Sequence, residues 1–214
     1  MYLKIPYKIQ YDTTKFPFQQ IVQNMLEVSD LYSLHKIKDY EFFSREKDQS
    51  TDWHRSYYSK FESEFYPMYL DLVKTLAAKF GYSELVYQKI PTFRTQLVNN
   101  LGVGEWHRDR TYNHGTTEVN FWMPFTDTNE TNTIWMESRE GLEDFMPYTV
   151  KYGEILVFDG ANLLHGNKTN TSDVTRVSVD FRLVDPAKFI PNEAGSINMN
   201  AAFDLGGYFE KVNS

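Results

Sequence analysis

The chain contains no cysteine. That absence excludes disulfides, thiolate zinc sites, iron–sulfur clusters and a cysteine nucleophile. Any metal must be held by nitrogen and oxygen donors. No apolar run approaches the roughly 18 residues of a membrane span. The opening Met1-Tyr2-Leu3-Lys4-Ile5-Pro6 lacks the apolar core of a signal peptide. The expectation is a cytoplasmic protein with no membrane partner, in which the sequons at Asn129, Asn167 and Asn170 carry no glycan. A basic tract is missing too. Lys and Arg number 22 against 29 Asp and Glu, net charge is -7, and the basic residues are scattered. A nucleic-acid partner is therefore not expected. Repeats and low-complexity linkers are also lacking.

What is present is aromatic: 16 Phe, 15 Tyr and 4 Trp in 214 residues. Such rings favour strands and pocket walls, and the length suits one domain. Residues 17–30 and 55–80 carry apolar residues at helical spacing. Pro67 is expected to kink or split the second stretch, and Gly81 to stop it. Residues 35–54 are polar and predict a loop, with a turn around Asp48-Gln49-Ser50. From residue 84 the pattern changes to period two. Strands are predicted over 85–98, 117–125, 133–137, 148–152, 154–159 and 175–184, separated by turn signals. Many short strands suggest a β-sandwich or jelly roll with the N-terminal helices against the outside of one sheet. The expected division is a mostly helical 1–82, a β core over 83–185 and a C-terminal extension over 186–214.

Two predicted strands alternate sharply. Val177, Val179, Phe181 and Leu183 share one face, opposite Arg176, Ser178, Asp180 and Arg182; Val119, Phe121 and Met123 oppose Glu118, Asn120 and Trp122. The polar faces are either wet exteriors or the lining of a polar cavity, with the apolar faces packed under helices.

The stretch Glu105-Trp106-His107-Arg108-Asp109-Arg110 raises the question of chemistry. In an extended segment His107 and Asp109 point the same way, so one ion can take both; a solvated loop has the same composition. The chain has five histidines, and His165 follows the predicted strand 154–159 in "GANLLHGN". Two His and one Asp make the facial triad of non-haem Fe(II) oxygenases, which leaves coordination positions open. Arg108 and Arg110 alternate with the ligands and should point away from the metal.

Taken together, His107-x-Asp109, distal His165 and Arg176-x-Ser178 resemble the pattern of the Fe(II)/2-oxoglutarate-dependent oxygenase superfamily. The stretches "FRTQL", "GEWHRD", "VNFWMPFTDTNETNTIWMES", "YGEILVFDGANLLHGN" and "TRVSVDFRL" are similar to its small streptomycin-biosynthesis-type oxygenases. The resemblance covers roughly residues 90–184, without departure at the five motif positions. It implies a mainly β protein with N-terminal helices, whose core is a double-stranded β-helix of the jelly-roll, cupin-like type. It implies Fe(II), 2-oxoglutarate as cosubstrate and O2. Arg176 would hold the cosubstrate's far carboxylate as a planar fork, with Ser178 adding a hydrogen bond. Related halogenases lack the carboxylate ligand, so Asp109 favours hydroxylation.

Further expected cavity residues are Gln96 and Asn120, toward the cosubstrate, and Arg94, His114, Trp122, Trp135 and Arg182, toward substrate. The expected activity is hydroxylation of a small polar metabolite (an amino acid, sugar or aminoglycoside-like precursor) with release of succinate and CO2. A cupin-type metal enzyme independent of 2-oxoglutarate and a non-catalytic carbohydrate-binding jelly roll are the competing readings.

Overall fold

The computed structural model describes residues 6–37, 50–102, 105–196 and 201–214. The turn expected at Asp48-Gln49 lies outside them. Among the described residues, three α-helices cover one sheet. α1 (Phe18–Leu26) buries Phe18, Val22, Met25 and Leu26, the stripe that its apolar spacing encodes. Of the kink or split expected at Pro67, the split does not occur: the longer stretch stays helical from residue 52 to 79 and changes its winding over one turn just before the proline. α2 (Asp52–Lys60) starts at Thr51, whose hydroxyl accepts from the His54 N–H. A π-helical stretch, Phe61–Phe65, follows, and Pro67 sits in the first turn of α3 (Tyr66–Lys79). Gly81, at φ +76°, ends α3. Its N–H and that of Tyr82 donate back to the carbonyls of Ala78 and Ala77, the reciprocal pair of a Schellman motif.

The larger sheet has seven antiparallel strands: β1 (Tyr7–Gln10), β2 (Glu84–Gln88), β3 (Thr92–Gln96), β4 (Val119–Pro124), β7 (Glu154–Phe158), β9 (Arg176–Val184) and β12 (Phe209–Asn213). Their order is β1-β7-β4-β9-β2-β12, and β3 also pairs with β9. The smaller sheet is β6 (Met146–Tyr148), β5 (Ile134–Met136) and β8 (His165–Gly166), in that order. A separate hairpin joins β10 (Asn192–Gly195) to β11 (Ala202–Phe203).

Three departures from the expected elements have local causes. The strand predicted over 85–98 is two strands, because Pro91 in the gap cannot donate to a ladder. The strand predicted over 148–152 lies earlier, at Met146–Tyr148. Val150 has left the ladder and exchanges hydrogen bonds with Thr128 instead. Both chain ends contribute strands to the larger sheet, β1 against β7 and β12 against β2. Neither end is therefore only helical elaboration or extension.

The layers explain the alternating strands. Val177, Val179, Phe181 and Leu183 of β9, with Phe121 and Met123 of β4, share one buried cluster with the helices. Rings dominate it: Tyr57 stacks on Phe93 at 4.5 Å, and Tyr69 meets Phe181 edge-on at 5.2 Å. A smaller cluster of Trp122, Leu156, Phe158, Ile134, Met136 and Leu163 lies between the two sheets. The polar face of β9 looks into this inter-sheet space.

His54 is buried in the helical layer, its Nδ1 2.6 Å from the Thr51 hydroxyl, and burial together with the Arg94 charge pulls its pKa down to about 4. The unfolded chain binds this proton near pH 6.5. His54 therefore favours the folded state above pH 6.5, and this stability is lost as pH falls toward 4. Urea unfolding of metal-free His54→Leu and wild type should show their stability difference moving by about 3 kcal/mol in the variant's favour between pH 6.5 and 4.

Candidate metal centre

The site begins with backbone pairing. His107 and His165 form an antiparallel bridge: the His107 N–H donates to the His165 carbonyl at 2.9 Å, and the His165 N–H returns the bond at 3.0 Å. This adds residue 107 to the edge of β8 and sets the two imidazoles side by side on one face, with ring centres 4.5 Å apart. Each Nδ1 lies 2.9 Å from the carbonyl oxygen two residues earlier, Glu105 and Leu163 respectively. A carbonyl only accepts, so each Nδ1 carries the proton and each Nε2 keeps a lone pair. Those Nε2 atoms face one oxygen, Asp109 Oδ1, at 3.4 Å and 3.6 Å.

Asp109 does not continue a strand. It opens a short 3-10 turn, Asp109–Tyr112, and its N–H donates to the Gly160 carbonyl at 2.9 Å. Its Oδ2 accepts from Asn120 Nδ2 and from an Arg182 Nη2, each at 2.7 Å. Burial works against the Asp109 charge, but the Arg182 guanidinium outweighs it and holds the carboxyl well below the ordinary range. Burial pulls His165 down to about 4 despite the neighbouring Asp109, so its imidazole is neutral at physiological pH. Three acceptor atoms thus converge within 4.8 Å of one another. Converging acceptors repel unless a cation lies between them, so the donor set fits a divalent metal ion.

A second layer holds these ligands. Glu137 is fully buried. Its Oε1 accepts from the Leu164 N–H and from Arg108 Nη2, each at 2.7 Å, and its Oε2 from the Gly141 N–H at 2.8 Å. One carboxylate therefore braces the residue before His165 and the residue between His107 and Asp109. Arg108 and Arg110 do point away from the site: Arg108 to Glu137, Arg110 to Glu140. Nothing in the sequence marked Glu137, because its partners, backbone N–H groups and the Arg108 side chain, are brought together only by the fold. Gly160 is needed for another reason. A Cβ there would lie 2.6–2.8 Å from the Asn120 amide, the group that holds Asp109.

The cavity beside the triad has about 530 Å³ of empty space, part of it open to solvent. Arg176 lines it at 2% exposure. Its guanidinium lies 5.5 Å from the centre of the Trp122 ring, and one Nη donates to Asn167 at 3.3 Å. Among the described residues no ion pair reaches it, and its Nε lacks a partner. Burial first, then the nearby Arg94 charge, depress its pKa, as expected of a buried cation without its anion. Gln96, Cα partner of Arg176 on β3, gives its amide N–H groups to the carbonyls of Asn100, Leu101 and Lys168. Among the described residues, Gln96 Oε1 and the buried Ser178 hydroxyl have no hydrogen-bond partner.

The other expected cavity residues divide. Arg94, Asn120, Trp122 and Arg182 line the cavity, as does Glu105, which had not been singled out. Arg182, expected to face substrate, is bonded to Asp109 instead. Gln96, Ser178, His114 and Trp135 are not among the lining residues. His114 pairs with Glu118 at 2.7 Å and packs on Phe203. Trp135 donates to the Glu130 carbonyl and lies under Lys168 Nζ, because on β5 it alternates with the inward-facing Ile134 and Met136.

The chain is thus a mainly β jelly roll under a helical layer, with a His–Asp–His group at the edge of its smaller sheet. The fold is similar to apo ThoJ, a non-haem monooxygenase (TM-score 0.52, 14% identity, 88% of this chain and 76% of that one). It is also similar to iron-bound EctD from S. alaskensis (TM-score 0.51, 13% identity, 86% and 74%). No protein-family model matches the chain. The chain is 38% identical over 206 residues to the streptomycin biosynthesis protein StrG of Streptomyces griseus, covering 96% of this chain and 98% of that protein. It belongs to the StrG family.

Gly160→Ala should push Asn120 off Asp109 Oδ2 and weaken divalent-metal binding by about 10–100-fold. Calorimetric titration of the folded variant checks this. Wild-type affinity would show that Asn120 does not support the ligand.

Proposed function

We propose that the protein is an Fe(II)- and 2-oxoglutarate-dependent oxygenase that hydroxylates a small polar metabolite. The carrying observation is Arg176: a buried guanidinium with no carboxylate partner among the described residues, on a cavity wall shared with the His–Asp–His group. Leaving such a charge unpaired costs several kcal/mol, which an anionic ligand offsets. His107, Asp109 and His165 would hold the metal through two imidazole Nε2 atoms and one carboxylate oxygen. Arg176 would seat the far carboxylate of 2-oxoglutarate, with the Ser178 hydroxyl as an added donor. When bound, Fe(II) and 2-oxoglutarate supply reductive activation of dioxygen, in which decarboxylation yields succinate and CO2 and one oxygen atom goes to substrate.

The chain's own residues prepare that chemistry. Asn120 and Arg182 keep Asp109 oriented and ionised. The carbonyls of Glu105 and Leu163 fix the histidine tautomers. Trp122, Ile134 and Phe158 line the cavity with apolar surface, which limits access of water to the reacting centre. Arg94, Glu105 and Asn167 supply polar groups on the same wall, which suits a hydroxyl- or amine-bearing substrate. The role of the StrG relative in streptomycin biosynthesis supports a sugar or aminoglycoside-like precursor.

Mixing the protein anaerobically with Fe(II) and 2-oxoglutarate should give a metal-to-ligand charge-transfer band. Arg176→Ala should weaken 2-oxoglutarate binding by at least about 30-fold, the cost of removing one partner of a buried charge pair, and His165→Ala should abolish the band. Wild-type protein with neither a band nor affinity for 2-oxoglutarate would sink this reading and leave a 2-oxoglutarate-independent metal enzyme or a binding module.

A further inference from the structure

Asp109 presents one oxygen to the metal position while the other is already taken, and the stronger of the two groups that take it is Arg182. We propose that Arg182 is a positioning residue that locks Asp109 as a one-oxygen ligand, and that the C-terminal segment carrying Tyr208 is built into the metal centre through it. The proposal rests on the metal reading above and is independent of 2-oxoglutarate.

Arg182 lies on the polar face of β9, 7% exposed. One Nη donates to Asp109 Oδ2 at 2.7 Å. The other donates to Gln88 Oε1 and to the Tyr208 hydroxyl, each at 3.1 Å, with Asp180 Oδ2 at 3.4 Å. Its Nε stands 3.5 Å from Glu118 Oε2. These anchors come from β2, from β9 itself, from the residue before β4 and from the segment before β12. They converge on a planar fork whose five N–H groups have fixed directions. A guanidinium held from so many sides keeps one rotamer, and so does the carboxylate bonded to it.

The consequence is geometric. With Oδ2 held by Arg182 and Asn120, Asp109 cannot turn to chelate through both oxygens. A coordination position that a second oxygen would fill is kept open for exogenous ligands. Without Arg182 only the neutral Asn120 amide restrains Oδ2, and chelation becomes available. Tyr208, 4% exposed, contributes through its hydroxyl alone and touches no metal ligand among its hydrogen-bond partners.

The test uses the full-length protein and Co(II) as the probe, read by calorimetry and by the visible d–d spectrum, with thermal unfolding of each metal-free form alongside. Wild type should bind Co(II). Arg182→Gln should bind about 10–100-fold more weakly with an altered d–d band, and Arg182→Lys should recover only part of the affinity, since an ammonium has no fork. Tyr208→Phe, which deletes one hydrogen bond, should weaken binding by about 5-fold with a near-normal melting temperature. Arg182→Gln with wild-type affinity and an unaltered band, even with a lowered melting temperature, would overturn the proposal and leave Arg182 a structural residue. If Arg182→Gln does not fold, Tyr208→Phe decides: weaker binding with a changed band supports the proposal, and unchanged binding overturns it. A wild-type protein that binds no Co(II) would instead overturn the metal reading on which both rest.

Discussion

The site hangs on the two backbone hydrogen bonds that pair His107 with His165. They join a loop residue to the edge of the smaller sheet, and in doing so they place two imidazoles on the same point. The rest follows from that pairing. Asp109 reaches the point because its N–H is tied to the Gly160 carbonyl, and Glu137 secures the neighbours of both histidines at once. The geometry of the triad is therefore set by main chain, by one buried carboxylate and by the Asn120 and Arg182 side chains on Asp109.

The same arrangement explains how so polar a layer survives burial. Arg176, Ser178, Asp180 and Arg182 lie between two sheets, where unpaired polar groups are costly. Arg182 is offset by carboxylates on three sides, whereas Arg176 has no such partner among the described residues. One arginine of β9 thus belongs to the protein's own network, and the other is, in the proposed function, the seat of an anionic ligand. The apolar alternates of the strand, packed under aromatic rings from the helices, provide the rigidity that holds this layer.

Much of this was legible in advance. Period-two alternation over residues 119–124 and 176–184 is a strong local signal, and each strand lies within its predicted range. His107, Asp109 and His165 stood out because histidine is scarce and the pattern is specific, and they do come together. β1 and β12 were missed because edge strands are short and half polar, so nothing in their composition separates them from loops. The break at Pro91 was missed because the apolar period continues through it. Arg182 was assigned to substrate because the alternation shows which face a side chain is on and not what it meets there.

The sequence by itself determined which residues can bind metal, which strand faces are apolar and near which proline the long helical stretch changes its winding, since each is a matter of residue chemistry or local spacing. Only the tertiary structure decided what each polar side chain is bonded to. His165 meets His107 across 58 residues, Glu137 meets Leu164 across 27, and Arg182 meets Asp109 across 73. Contacts between residues so far apart are created when strands pair and layers pack, and no local pattern encodes them.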